Sequence, residues 1–222
     1  MVAQTSTERQ GYQDAVSRER FDAAKSYEQY LAGIKSNREK FLDNFEKTQI
    51  SDEQAVRLRA LAARPGGPAR LLVIGEDWCP DVYRGMPVAK RIADAAGFEM
   101  RVLERDQNLD AAEHFKLGGE FLSIPVYVFY TQNHEYIAHW TERPQLANDQ
   151  MREALSPIFG PSGTRQLTEK LGRPPTEEEK AAAIAERERN YDEFQRSSPY
   201  WAGWRDATVD EVIALLEHTV SA

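Results

Sequence analysis

The chain has 222 residues, enough for one large domain or a compact domain with sizeable extensions. Lys and Arg total 28 against 36 Asp and Glu, a formal net charge of −8 with no basic stripe to offset it. That balance argues against nucleic acid as a partner, because phosphate contacts supply most of such affinity. The one cysteine, Cys79, excludes an intrachain disulfide and a cysteine-based structural zinc site. His114, His134, His139 and His218 show no metal-binding spacing, so no metal and no cofactor are expected. No apolar run approaches the about 20 residues that span a bilayer, and residues 1–10 lack a signal-peptide pattern. A cytoplasmic location without a membrane partner is the default expectation. A mean hydropathy of −0.64 points to amphipathic helices with solvated faces.

In chain order, residues 1–66 are expected to form an N-terminal helical extension. Tyr12, Val16, Ala23, Tyr27, Tyr30, Leu31 and Ile34 recur at steps of three, four and seven, which is a helical stripe. Ser36 with Glu39, and Ser51 with Gln54, have capping-box spacing and predict two further helix starts. Arg64-Pro65-Gly66-Gly67-Pro68 breaks the pattern.

Residues 67–158 read as the central domain. Leu71-Leu72-Val73-Ile74 predicts a buried strand, and Pro80 suits the first turn of the helix that follows, which Gly97 ends. Phe98–Leu103 predicts a second strand, and Asn108 a helix cap. Pro125–Tyr130 predicts a strand opening on a proline, and Gln132-Asn133 a hairpin turn into Glu135–Trp140. Pro144 opens a helix through about Leu155. The order β-α-β-α-β-β-α describes a mixed α/β sheet with helices on both faces. Residues 159–222 form a C-terminal helical extension that begins with Gly160-Pro161-Ser162-Gly163. Thr176 with Glu179 and Thr208 with Glu211 mark two helix starts; Tyr200, Trp201 and Trp204 lie between them and are expected to pack the helices.

Cys79 carries the candidate chemistry. It lies between a strand and a helix in Glu76-Asp77-Trp78-Cys79-Pro80-Asp81-Val82. Unpaired N–H groups and the helix dipole favour a thiolate at that position, and the thiolate is the nucleophile. Glu76, Asp77 and Asp81 oppose it by like charge. The sequence leaves the balance open, and it leaves open the plainer role of Cys79 as a small buried hydrophobe.

These residues resemble the thioredoxin-like superfamily. The resemblance rests on Trp78-Cys79-Pro80-Asp81-Val82 after a strand, a helix containing Pro87, and Ser123-Ile124-Pro125 before the next strand. More closely, Glu76-Asp77-Trp78-Cys79, Arg105-Asp106-Gln107-Asn108-Leu109 and Ser123-Ile124-Pro125 resemble a bacterial thioredoxin-family branch. The resemblance implies that Cys79 is the exposed nucleophile, with Trp78 beside it and Pro80 and Asp81 opening the helix. It further implies that Pro125 is a cis-proline and that Ile124 presents backbone to a bound chain. Val82 stands where the family's second, resolving cysteine would be, and the strand Leu71–Ile74 carries no equivalent of the family's buried aspartate. A dithiol cycle within one chain is therefore excluded.

Three monothiol readings remain. Cys79 forms a mixed disulfide with a protein or low-molecular-weight thiol; Cys79 is oxidised by peroxide; or the fold only binds a chain along the Ile124-Pro125 groove. The Pro-x-x-x-(Thr/Ser)-x-x-Cys, Cys-x5-Arg and Cys-Gly-Phe-Ser patterns are absent, which weighs against peroxiredoxin, phosphatase-loop and cluster-binding chemistry. His139 is expected as a locally bonded strand-end residue rather than a catalytic acid or base, and Arg105 with Asp106 as an ion pair or cap. No residue pattern sets an oligomeric state.

Overall fold

The computed structural model describes residues 6–159 and 164–220. Its elements are α1 (Ser6–Asp14), α2 (Arg18–Ala23), α3 (Tyr27–Gly33), α4 (Arg38–Lys47), α5 (Asp52–Ala62), β1 (Arg70–Gly75), α6 (Pro80–Ala96) and β2 (Glu99–Glu104). There follow α7 (Leu109–Ala112), β3 (Val126–Tyr130), β4 (Tyr136–Thr141), α8 (Gln145–Leu155), α9 (Thr164–Leu171), α10 (Glu177–Ser197) and α11 (Pro199–Val220). They form two compact units, one of Met1–Arg143 with Arg205–Ala222, the other of Pro144–Trp204.

The first unit is built on a four-stranded sheet of order β2-β1-β3-β4. β1 pairs parallel with β2 and antiparallel with β3, which pairs antiparallel with β4. Every residue of β1 is buried, as a central strand covered on both faces requires. Strand alternation divides the side chains between two layers. Leu72, Ile74, Val126, Val128 and Tyr130 point into a cluster with Val16, Phe21, Ala111 and Phe115. On the other face, Gly75 meets Val82 and Met86 of α6, and Tyr127 meets Gly85. The mixed α/β sheet with helices on both faces is therefore the observed architecture.

The stripe read through Tyr12 to Ile34 is not one helix. Ser17 caps α2 by accepting from the Arg20 amide, and Ser26 with Gln29 forms a complete capping box for α3. These serines break the stripe into three short helices with different packing: Tyr12, Val16 and Phe21 join the cluster above, whereas Tyr27 and Tyr30 pack against Phe45 and Phe41 of α4. Between α2 and α3, the Val102 amide donates to Lys25 O at 2.8 Å, so one residue of the N-terminal segment pairs with the outer edge of β2. The segment after β2 is also less regular than expected. Asn108 occupies the N-cap of α7 without a side-chain cap, and the helix gives way to a 3-10 turn at Glu113–Phe115.

The boxes at Ser51/Gln54 and Thr176/Glu179 are present with both reciprocal bonds. The box at Ser36/Glu39 is not: α4 starts from Asn37, which sits in the left-handed region at φ 58° and makes no side-chain cap. Thr208 starts no helix either. It is a buried interior residue of α11, which Pro199 opens and whose apolar positions continue unbroken through Val209, Val212, Ile213 and Leu216. Within the second unit, Trp201 and Trp204 are buried against each other and against Phe194. Tyr200 donates to Glu153 and Trp204 to Gln150 of α8. The expected break at Gly160-Pro161-Ser162-Gly163 lies outside the described residues.

Candidate functional site

The carboxyl end of β1 runs through Glu76-Asp77-Trp78 into Cys79, the N-cap of α6, with Pro80 as the first helical residue. Proline fits there because the missing N–H would have had no helical partner. The close approach of strand to helix depends on Gly75, where an added Cβ would fall 2.8 Å from Val82 Cγ1. The Ile124–Pro125 peptide is cis, as the resemblance implies. Its loop reaches α6 over Gly85, where an added Cβ would lie 3.1 Å from Pro125 Cγ.

Cys79 is half-buried, and its thiol donates to the Ile124 carbonyl at a sulfur–oxygen distance of 3.8 Å. The loop is held from its other side by the Glu142 amide, which donates to Pro125 O at 2.8 Å while Glu142 adopts φ 72°. The adjacent Arg143 pairs with Asp81 at 2.9 Å, and Asp81 also pairs with the buried Arg84 at 2.7 Å. The chain of contacts from Cys79 through Ile124-Pro125 and Glu142-Arg143 to Asp81 thus closes on the first turn of α6. Arg84 was legible in principle, since it lies three residues after Asp81 on one helix; Glu142 and Arg143 meet the site only through tertiary structure.

Burial pushes the Cys79 thiol up from its ordinary value, and the Asp81 charge adds to this. The Val82 and Asp81 amides and the Arg143 charge act in the opposite direction, so the helix terminus has its expected sign but is outweighed. The bond to Ile124 O works with burial, because only the protonated sulfur can donate it.

The acids that precede Cys79 have separate roles. Glu76 accepts from the Asp106 amide at 2.7 Å, and burial holds its carboxyl above the usual range. Asp77 accepts from the Lys35 and Ser36 amides at 2.8 and 3.0 Å, while Asn37 donates to Asp77 O. That engagement of the Ser36 amide accompanies the lost capping box. Trp78 is 50% exposed, with the Arg105 guanidinium 5.1 Å over its ring. Arg105 pairs with Asp106 and donates to Leu122 O, which links the turn after β2 to the loop before Pro125. Trp78, Cys79, Pro80, Asp81, Ile124 and Pro125 are therefore gathered at one end of the sheet. His139 is elsewhere: its register partner Val128 faces the opposite layer, and its ring packs against Tyr12 and Phe115. Burial pushes His139 down to about 4, and its Nδ1 lies 2.7 Å from Tyr136 Oη. Among the described residues, no group of three or more His, Cys, Asp or Glu could hold a metal ion, and no helix is long and apolar enough to cross a membrane.

A thioredoxin family model matches residues 24–156, more than half of the chain. The chain belongs to the thioredoxin family. Two solved structures share its thioredoxin-like fold at low identity. One is a protein of unknown function from Pseudomonas aeruginosa, with 16% identity and a TM-score of 0.60. The other is an HIV epitope-scaffold, with 17% identity and a TM-score of 0.57. Each match covers 91% of this chain and 98% of the other. No curated protein matches the chain. As a thioredoxin-family chain with one cysteine, it has no second thiol beside Cys79; the fully buried Val82 occupies the next turn.

Proposed function

We propose that this protein carries out a single thiol–disulfide exchange through Cys79 with a protein or low-molecular-weight disulfide docked along Ile124-Pro125. The observation that carries the proposal is the half-buried Cys79 sulfur, 3.8 Å from Ile124 O at the cis-proline loop. In the step, the Cys79 proton passes to solvent and the thiolate attacks one sulfur of R–S–S–R′. The Cys79–S–S–R bond forms as the old S–S bond breaks, and R′–S⁻ leaves with the electron pair. An external thiol then releases Cys79 by the same exchange, because Val82 cannot.

The raised thiol pKa sets the tempo. Little thiolate forms near neutral pH, so attack is slow; Cys79 is also a poor leaving group once bonded, so the adduct is long-lived. The protein is on this reading a capture device rather than a rapid reductant. A second reading, a binding module with no exchange, is favoured by the same raised pKa and by the exposed Trp78 beside the loop.

Intact-mass spectrometry after incubation with glutathione disulfide or cystamine separates the two. A single adduct that is absent from Cys79→Ser, with an alkylation midpoint above that of a free cysteine, supports exchange. A folded protein that forms no adduct, while the unfolded chain does, supports the binding module.

A further inference from the structure

Away from Cys79, three of the chain's four histidines pack against one short N-terminal segment, residues 6–16. His114 follows α7, and a Cβ added at Gly11 of α1 would meet its Nδ1 at 3.8 Å. His139 of β4 lies against Tyr12, with ring centroids 4.6 Å apart. His134, in the turn between β3 and β4, has its Nε2 2.9 Å from Val16 O and its ring stacked on Tyr130 at 4.2 Å.

The segment is lightly held. α1 has nine residues and none of them is buried, and a helix of fewer than about 12 residues is marginal without support. It docks on the outer edge of β4 through polar side chains. The Gln13 carboxamide accepts from the Tyr136 amide at 2.6 Å and donates to His134 O at 2.9 Å, so it pairs with the strand as a peptide group would. Arg9 donates to Tyr136 O at 3.1 Å. Elements with few buried apolar contacts are the first to open.

The histidines make this hold depend on protonation. Val16 O can only accept, so His134 carries its proton on Nε2, and its buried Nδ1 has no hydrogen-bond partner among the described residues. A second proton would place an N–H there without an acceptor. The charged groups facing this ring are Arg18 and Asp22 of α2 and Arg70 of β1, while Glu135 of the turn is engaged by Thr131. Burial pushes His134 down, with both arginines, against the Val16 carbonyl and Asp22. At His139, burial alone pushes the ring down to about 4. Arg9 sits 5.5 Å over the adjoining Tyr136 ring and Glu8 acts on the Tyr12 hydroxyl; cation–π contact with Tyr12 returns only part of the cost. We infer that residues 6–16 form an acid-released strap over the edge of β4. The docked strap is favoured above about pH 6.5, where free histidine is neutral. As pH falls from there toward 4, proton uptake by His134 and His139 favours the open strap, which bares the Tyr136 amide and the His134 and Tyr136 carbonyls.

The test is hydrogen exchange of the full-length protein between pH 7.5 and 4.5, corrected for the intrinsic effect of pH on exchange. Protection of the amides of residues 9–16 and of Tyr136 should fall by about tenfold or more between pH 7.5 and 5, while Leu71–Ile74 of β1 stay protected. His139→Gln should flatten that dependence. So should His134→Asn, since asparagine tolerates the left-handed φ of 67° at that position. Gln13→Ala should speed exchange of the segment severalfold at every pH and keep the dependence, and protection of β1 verifies the fold of each variant. Three results would overturn the strap: protection of residues 9–16 that does not change with pH, loss of protection in step with β1, or a pH dependence that survives both histidine substitutions.

Discussion

The contact between α6 and the cis-proline loop can be tested at Gly85. Replacing a helical glycine by alanine ordinarily stabilises by about 1 kcal/mol. Here the added Cβ would lie 2.8 Å from Tyr127 Oη and 3.1 Å from Pro125 Cγ. Tyr127 cannot swing clear, because it is fully buried and its ring packs at a 32° tilt against Trp140, with centroids 4.7 Å apart. Overpacking of this kind costs about 1–3 kcal/mol, so Gly85→Ala should be a net loss of about 1 kcal/mol. Tyr127→Phe removes the closer obstacle together with a buried hydroxyl that has no hydrogen-bond partner among the described residues. It should be neutral or stabilising by itself, and in its background Gly85→Ala should recover part of the helical gain. Urea unfolding of the wild type, both single variants and the double variant should therefore show a coupling energy of about 1–2 kcal/mol. Cys79 alkylation gives a second readout: displacing Pro125 moves Ile124 O from the sulfur, so Gly85→Ala should react faster than wild type. A Gly85→Ala variant more stable by the whole propensity gain, with no coupling to Tyr127→Phe, would refute the packing argument.

Asp77→Ala should cost about 1–2 kcal/mol, the worth of charge-assisted bonds to the Lys35 and Ser36 amides, and should speed hydrogen exchange at those two amides specifically. His139, held down to about 4 by burial, favours the folded state above about pH 6.5. Its contribution is lost as pH falls from there through about 4, because the unfolded chain takes up the proton first. His139→Gln should reduce the acid-induced loss of stability across that window by up to roughly 3 kcal/mol, measured as urea midpoints at several pH values; an unchanged slope would count against this assignment. Val82→Cys places a second thiol one turn from Cys79 and should produce insulin reduction that the wild type lacks, with circular dichroism confirming the fold. Inactivity in a folded Val82→Cys protein would mean that the surroundings of Cys79, and not only the missing thiol, prevent turnover.

What could be read from the residues alone followed the range of the interactions involved. The run Leu71–Ile74 announces a central strand because burial on both faces demands apolar residues throughout. The boxes at Ser51/Gln54 and Thr176/Glu179 announce helix starts because both partners lie within one turn. Ser36/Glu39 has the same spacing and fails because Ser36 N–H is drawn to Asp77, 41 residues away. Thr208/Glu211 fails because the buried side of α11 continues past it. At the site, local sequence identified Cys79, its helix and the proline loop. It could not weigh burial against the helix terminus, and that balance decides the state of the thiol. Asp77 was read as a charge opposing the thiolate; its carboxylate instead binds backbone amides of a distant segment, a role that no spacing encodes.

The pairing of Lys25 with Val102 has a consequence for any attempt to trim the protein. β2 is the last strand on its side of the sheet, and Lys25 O takes the Val102 N–H that would otherwise face outward. A chain shortened to begin after α5 would open that border to other molecules, and exposed strand borders recruit copies of themselves. Self-association of such a fragment would come from its uncovered flank and would say nothing about the assembly state of the intact protein.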